Sequence, residues 1–342
     1  MNKPKVFVTG ATGTVGSYLV EYLVNKGFEV MGCIRPSSRA SKLDNLAKTY
    51  PRSLTYAVAD IRGPAQLSNY MIGCDIVVHA AANVEPYSRW QELHEVNVQG
   101  TQNVLSAAIS AGVKQFVHTS SLSVITGDQD QYGICEKQPP IYSREAYANS
   151  KIEAEKVVME KASGKEIEIT VLRPGFIYGP YERTWLPKLV QAVRRRRAML
   201  VGDTQKETNV IFVENLCRAI ESAMLNPKAY GQIYNLTDGQ SITKRLLFDT
   251  ICDELNLPRV NLIIPTYAAK LLVETACLLT PYVPLQLKNK LARYSRAAYR
   301  LVAVNQGFDI SKAERELGYI ERIPFTEGMA KALAPWKTQS SS

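Results

Sequence analysis

Over the first 175 residues, short runs of β-branched and apolar residues alternate with longer amphipathic stretches, a rhythm that few folds satisfy. The strand candidates are Lys5–Thr9, Glu29–Ile34, Leu54–Ala59, Ile76–His79, Gln115–Thr119 and Ile167–Leu172. Helix candidates lie between them near Thr14–Lys26, Ala65–Met71, Trp90–Ser110 and Ser143–Ser163. Strands separated by helical crossovers pair in parallel, with helices covering both faces of the sheet. Right-handed crossovers then give the expected fold class: α/β, a doubly wound parallel sheet.

After Pro174 the rhythm breaks at a loop marked by Pro174, Gly175, Gly179 and Pro180. Strands are expected at Val210–Val213 and Gln232–Leu236, and most of the chain beyond them is expected to be helical, including Thr266–Leu279 and Pro284–Leu301. The expected division is a first domain over 1–175, with elements from about 205–236 returning to it. Residues 176–204 and 237–338 form a smaller, mostly helical substrate lobe, and 339–342 a disordered tail. The length of 342 residues suffices for both units. Six scattered cysteines, without a C-x-x-C pair, suit a reducing compartment, and three dispersed histidines predict no metal site. The N-terminus shows no leader pattern, so a cytoplasmic location is expected.

The first strand runs into Thr9-Gly10-Ala11-Thr12-Gly13-Thr14-Val15-Gly16, which opens the first helix with spacing G-x-x-G-x-x-G. Gly10 permits the tight turn, Gly13 lets backbone approach a pyrophosphate, and Gly16 lets helix pack closely on sheet. The helix start supplies N–H donors from Thr12 to Gly16 and a favourable dipole. A Rossmann-type dinucleotide site is therefore expected here. Where an NAD site usually places an acid after the second strand, this chain reads Arg35-Pro36-Ser37-Ser38-Arg39. Guanidinium groups suit a 2′-phosphate, so NADP is expected over NAD, with Arg35, Ser38 and Arg39 as contacts. Asp60 and Ile61 end the third strand, where they can meet an adenine or simply cap a helix. The small residues Ala80, Ala81 and Ala82 after the fourth strand allow close approach of a cofactor, or close packing. His79 reads as a core histidine.

Tyr147-Ala148-Asn149-Ser150-Lys151 sets a phenol and an ammonium four residues apart, on one helix face. A phenol with a pKa of about 10 is a poor acid–base catalyst at neutral pH, but a neighbouring cation stabilises its phenolate. Tyr147 is the expected proton donor or acceptor, and Lys151 its tuning partner and a ribose ligand. The fifth strand ends in Thr119-Ser120-Ser121, with Ser121 the first choice to hold a substrate oxygen and Ser120 the second. Asn97 has two readings, a backbone tie or part of a water relay.

Taken together, Thr9–Gly16, Asp60-Ile61, His79–Ala82, Asn97–Thr101, Thr119–Ser121, Tyr147–Lys151 and Leu172–Pro180 resemble the extended short-chain dehydrogenases/reductases. Ile34–Ser38 and Trp90 resemble the dihydroflavonol-reductase-like branch. Asp309–Ala313 and Glu316–Tyr319 resemble the 3β-hydroxysteroid dehydrogenase-like branch. The resemblance implies Ser/Tyr/Lys chemistry, a cofactor wall from Pro174, Gly175 and Phe176, and pairing of copies through the helices carrying Trp90–Ser110 and Tyr147–Lys151. The chain departs from the family at Val213-Glu214-Asn215, where many members carry a His or Asp, and it lacks a diphosphate-gripping arginine before Val210.

The apolar stretch Tyr267–Leu279 can line a substrate pocket or close its own core. With Lys288, Lys290, Arg293, Arg296 and Arg300 following, it fits weak peripheral contact with an anionic membrane or a plain solvated basic face. The net charge of +9, without interleaved aromatics or a recognised motif, predicts no nucleic-acid partner. The expected activity is NADP(H)-dependent interconversion of a secondary alcohol and a ketone on an apolar small molecule of sterol, polyketide or phenolic type. The alternatives are an epimerase or dehydratase of a nucleotide sugar, and a non-catalytic NADP-responsive binding protein.

Overall fold

The computed structural model describes residues 3–337, apart from 64–65, 86–87, 163, 165, 285–286, 288–290 and 292–293. The expected tail at 339–342 and three of the basic residues, Lys288, Lys290 and Arg293, lie outside the described residues. In chain order the strands are β1 Lys5–Thr9, β2 Glu29–Ile34, β3 Leu54–Val58, β4 Ile76–His79, β5 Gln115–Thr119, β6 Gln131–Ile134, β7 Glu168–Pro174, β8 Phe176–Tyr178, β9 Leu200–Val201, β10 Val210–Phe212, β11 Gln232–Leu236, β12 Ile263–Ile264 and β13 Gln306–Phe308. The helices are α1 Thr14–Asn25, α2 Ser41–Thr49, α3 Leu67–Met71, α4 Trp90–Leu93, α5 Gly100–Ser110, α6 Ala146–Ala162, α7 Leu186–Arg194, α8 Val213–Ala223, α9 Lys244–Glu254, α10 Thr266–Leu279, α11 Arg296–Ala303, α12 Ser311–Leu317 and α13 Phe325–Lys337.

Seven strands form one parallel sheet in the order β11-β7-β5-β4-β1-β2-β3. The alternation read from the sequence thus resolves into a doubly wound, Rossmann-type sheet. Val6, Val8, Val30 and Val78 pack on one face against Leu19 and Val20 of α1 and Leu216 and Ile220 of α8. Phe7, Val77 and Phe116 pack on the other face against Leu67 of α3, Val104 of α5 and Val158 of α6. From β1 the sheet runs one way through β2 and the other way through β4. That reversal opens a crevice beyond the carboxyl ends of β1 and β4, where ligands bind in such sheets.

The strand expected near Val210 forms, but it pairs with β8 in a two-stranded sheet of its own; only β11 joins the main sheet. Buried Asp238 explains the arrangement. It accepts hydrogen bonds from Phe212 N at 2.8 Å, Asn215 Nδ2 at 2.8 Å and Tyr178 Oη at 2.7 Å, fastening β8, β10 and α8 together. Asn215, at the position where the family pattern departs, is therefore spent on structure. A second core of Leu186, Val190, Phe248, Ile251, Met329 and Leu333 holds the later helices. No helix among the described residues is long and apolar enough to cross a membrane.

The two described arginines of the expected basic face are not free. Arg296 pairs with Asp128 at 3.1 Å and Glu274 at 2.8 Å. Arg300 is buried, pairs with Glu145 and donates to Thr126 O. From α11 they reach the segment between β5 and α6, at Thr126, Asp128 and Glu145, and Glu274 of α10. Basic residues that follow an apolar stretch in sequence need not share its surface.

Candidate active site

The glycine turn is a cradle with no room for side chains. Gly10 adopts φ +68° and comes so close to the neighbouring loop that a Cβ would lie 2.9 Å from Ala81 Cα. A Cβ on Gly16 would lie 2.2 Å from Gly10 O. Gly13 N donates to Gly10 O at 2.8 Å and precedes α1 as an N-cap without a side-chain cap. No acidic residue stands in the first turn, so the free N–H groups at Thr14 and Val15 suit an anion. Thr14 Oγ1 donates instead to Tyr181 O at 3.2 Å, while Thr12 lies half-buried in the turn.

His79 locks this turn to the next strand. Thr101 Oγ1 donates its hydrogen to Asn97 O at 2.6 Å, so it accepts from His79 Nε2–H at 2.9 Å. Nδ1 is then the acceptor for Thr9 Oγ1 at 2.8 Å, and Thr9 Oγ1 accepts from Ala80 N and Ala81 N at 3.1 Å each. Every polar atom in this relay is satisfied with a neutral imidazole, and burial lowers the His79 pKa to about 3. The half-buried loop Ala80–Ala82 is thereby held against Gly10.

Asn97 lies in a π-helical turn, His94–Gln99, between α4 and α5, where the sequence suggested one continuous helix. Its Oδ1 accepts from Asn83 N at 2.7 Å, and its Nδ2 donates to Asn83 O at 3.0 Å and Ser150 Oγ at 2.9 Å. The backbone-tie reading describes this geometry, and the tie reaches α6 next to Lys151.

Tyr147, half-buried on α6, has its phenol pKa pulled down by the Ser121 hydroxyl, which stands just after β5. Ser121 Oγ accepts from Ser123 N at 3.1 Å, which orients the oxygen and leaves its hydrogen to donate. Burial outweighs this and pushes the phenol up to about 12. Lys151 is buried and donates to Thr119 O at 2.8 Å; desolvation brings its pKa down to about 8, with Glu155 opposing. From the sequence, the ammonium is expected to acidify the phenol. Without a bound cofactor, desolvation is the larger influence on both groups, on the half-buried Tyr147 as on the fully buried Lys151. Thr119 Oγ1 is buried without a hydrogen-bond partner among the described residues.

Ser120 turns away from this cluster and donates to Glu155 Oε2 at 2.7 Å. Glu155 also takes a bidentate pair from Arg173 on β7, both side chains being nearly fully buried at 7% and 3% exposure. Sequence reasoning missed Glu155 and Arg173. Two signals were there: Glu155 lies four residues after Lys151 on one helix face, and Arg173 is the one charge beyond the first residue of a strand otherwise apolar enough to be covered on both sides.

Arg35 and Arg39 are exposed beyond β2, and neither guanidinium bonds to another described residue. Ser38 N closes the turn onto Arg35 O at 2.9 Å. Asp60 is engaged by Arg62, through Arg62 N at 3.0 Å and an ion pair at 2.6 Å, so its carboxylate is only partly available. Ile61 is a core residue whose Cδ1 lies under Gly100. Pro174 is buried at the end of β7, and a Cβ on Gly175 would lie 2.0 Å from Asn209 O. Half-buried Phe176 follows, edge-on to Trp185 with ring centroids 6.2 Å apart.

The turn, Ala80–Ala82, Ser121 and Pro174–Phe176 occupy the carboxyl ends of the parallel strands or the residues just beyond them, and Lys151 reaches that end from α6 through Thr119 O. The cradle that a Cβ would fill, the uncapped helix start and the free arginines fit a dinucleotide cofactor. Among the described residues no group of His, Cys, Asp and Glu could hold a metal ion.

Comparison with known proteins agrees with this arrangement. The chain is 31% identical over 95% of its length to a 3beta-hydroxysteroid-dehydrogenase/decarboxylase of Arabidopsis thaliana, spanning 61% of that protein. It is 29% identical, over 95% of its length and 94% of the relative's, to 4-hydroxy-2-methyl-3-oxo-4-farnesyl-3,4-dihydroquinoline-1-oxide ketoreductase of Stigmatella aurantiaca. A dTDP-glucose 4,6-dehydratase from Streptomyces venezuelae, solved with NAD, shares the fold at a TM-score of 0.76 and 24% identity, over 98% of this chain and 97% of that one. The model of the NAD dependent epimerase/dehydratase family matches residues 6–237. The chain belongs to that family, the extended short-chain dehydrogenases/reductases that the sequence motifs resembled, and is an enzyme of the oxidoreductase type.

Proposed function

We propose that this enzyme interconverts a secondary alcohol and a ketone on a relatively apolar small molecule of sterol, polyketide or phenolic type, with NADP(H). The observation that carries the reading is Tyr147 one helical turn from the buried Lys151 on α6, whose amine donates to Thr119 O at 2.8 Å, two residues before Ser121. A bound nicotinamide supplies the hydride donor or acceptor. Gly10–Gly16 would hold the pyrophosphate, Arg35, Ser38 and Arg39 the 2′-phosphate, and Lys151 the ribose near Thr119. Ser121 orients the substrate oxygen by donating its free hydrogen. Tyr147, neutral at physiological pH because its pKa is about 12, gives its proton to that oxygen as negative charge grows there.

Two lines support the finer parts of the reading. Free, exposed Arg35 and Arg39, with no acid after β2, favour a 2′-phosphate over a bare hydroxyl. On α10, Glu274 faces Arg144 at 3.8 Å, just ahead of α6, and the same helix exposes Tyr267, Leu271 and Leu278, an apolar surface that favours an apolar substrate. Both relatives named above carry sterol or keto-reduction activities in their names.

The test is Tyr147→Phe, assayed with a panel of hydrophobic ketones and alcohols and followed at the nicotinamide absorbance. Turnover is expected to fall by about 10³-fold with NADPH affinity unchanged. Undiminished activity in the variant would sink the catalytic reading. Family membership also supports a second reading, a nucleotide-sugar epimerase or dehydratase. Turnover of such a sugar without net consumption of NADPH would replace the first reading with it.

A further inference from the structure

Three chain segments carry the proposed chemistry, and one carboxylate touches all of them. Ser120, which precedes Ser121, donates to Glu155 Oε2 at 2.7 Å. Arg173, which precedes Pro174, donates from Nε to both oxygens at 3.1 Å and also pairs through its terminal nitrogen. Glu155 itself follows Lys151 by one helical turn on α6. A buried ion pair gains little stability over an apolar pair of the same shape, so burial of this one calls for another account.

The charged and titratable groups around Lys151 come from every neighbouring element. On α6 they are Tyr147 and Glu155, on β5 His118, on β4 His79, and on β7 Arg173. Both histidines are held neutral by burial, with Lys151 lowering them further, and the Tyr147 phenol is neutral. Glu155 is the one anion among them.

We infer that Glu155 is a positioning residue of the active site: its carboxylate ties the segments bearing Ser121, Lys151 and Pro174 together and supplies the negative charge that lets Lys151 remain an ammonium while buried. The inference rests on the proposed Tyr147–Lys151 chemistry. It adds a requirement, because a buried lysine without a counter-charge becomes a neutral amine with a pKa of about 5–6. A neutral Lys151 would still fit its contact to Thr119 O but could no longer stabilise charge on Tyr147.

The experiment follows Lys151 directly by its 13Cε resonance in lysine-labelled full-length protein, assigned with Lys151→Met and titrated without substrate. The wild-type midpoint is expected near 8, and a midpoint below about 7 overturns the inference. In Glu155→Gln the midpoint is expected to fall by one pH unit or more, a tenfold loss of proton affinity. Should that variant not fold because Arg173 is left unpaired, Glu155→Gln/Arg173→Met removes both charges, and a smaller fall is expected because a neighbouring cation is lost with the anion. An unchanged midpoint in either folded variant overturns the role, leaving Glu155 a structural partner of Arg173. Because the readout needs no turnover, its failure is distinguishable from a failed Tyr147→Phe assay.

Discussion

The glycine turn and the Ser121–Tyr147–Lys151 cluster sit at the same end of one sheet but are built differently. The turn is made within eight consecutive residues, and the missing side chains of Gly10 and Gly16 set its shape against backbone atoms. The cluster draws on β5, α6 and β7, held by buried polar groups from distant parts of the chain. A local device depends on steric space, whereas an assembled one depends on charges and hydrogen bonds being satisfied together. The two should therefore break in different ways.

The largest effect on the local side is expected from Gly16→Ala, which puts a methyl group 2.2 Å from Gly10 O. The shift it forces should cost about 2–3 kcal/mol of stability and about 100-fold in NADPH affinity, by thermal melting and fluorescence titration. Gly13→Ala, whose added carbon would meet Gly10 O at 3.2 Å, should lose far less stability. Equal losses in both variants would show that space alone does not govern the turn.

Arg35→Glu should act on preference more than on fold, since its guanidinium has no partner among the described residues. Charge-assisted hydrogen bonds of about 1.5–3 kcal/mol translate to a roughly 10- to 100-fold fall in the NADPH-to-NADH ratio of kcat/KM. No change in that ratio would refute the reading of β2's end.

The smallest expected effect is on the assembled side. His118, just before Thr119, is buried with both ring nitrogens unpartnered among the described residues and stacks on His79 at 5.6 Å. Burial drives its pKa well below 6.5. The unfolded chain then binds the extra proton below that value, so this stabilising contribution is present above about pH 6.5 and lost as the solution is acidified. The same sign holds for His79, over a window from about 6.5 down to about 3. His118→Phe should flatten the acid loss by up to about 1.4 kcal/mol per pH unit, read as a smaller melting-temperature difference between pH 5 and pH 8.

Much of this was legible in one dimension because it is local or periodic. Alternating strand and helix patterns forecast the parallel sheet, glycine spacing marked the tight turn before α1, and the four-residue interval put Tyr147 and Lys151 on one helix face. His79 read as a core histidine and is one, with every polar atom bonded. Other features needed the chain to be folded. Asp238 gathers β8 and β10 into their own small sheet, and Glu145 and Thr126 turn Arg300 from an expected surface charge into a buried tie.

The sequence by itself determined the parallel sheet and the shape of the glycine turn, since steric limits and hydrophobic periodicity act between near neighbours. Only the tertiary structure decided which charges are buried together and which way the Tyr147 and Lys151 pKa values move. Desolvation depends on what the rest of the chain brings within a few ångströms, and no interval along the sequence encodes that distance.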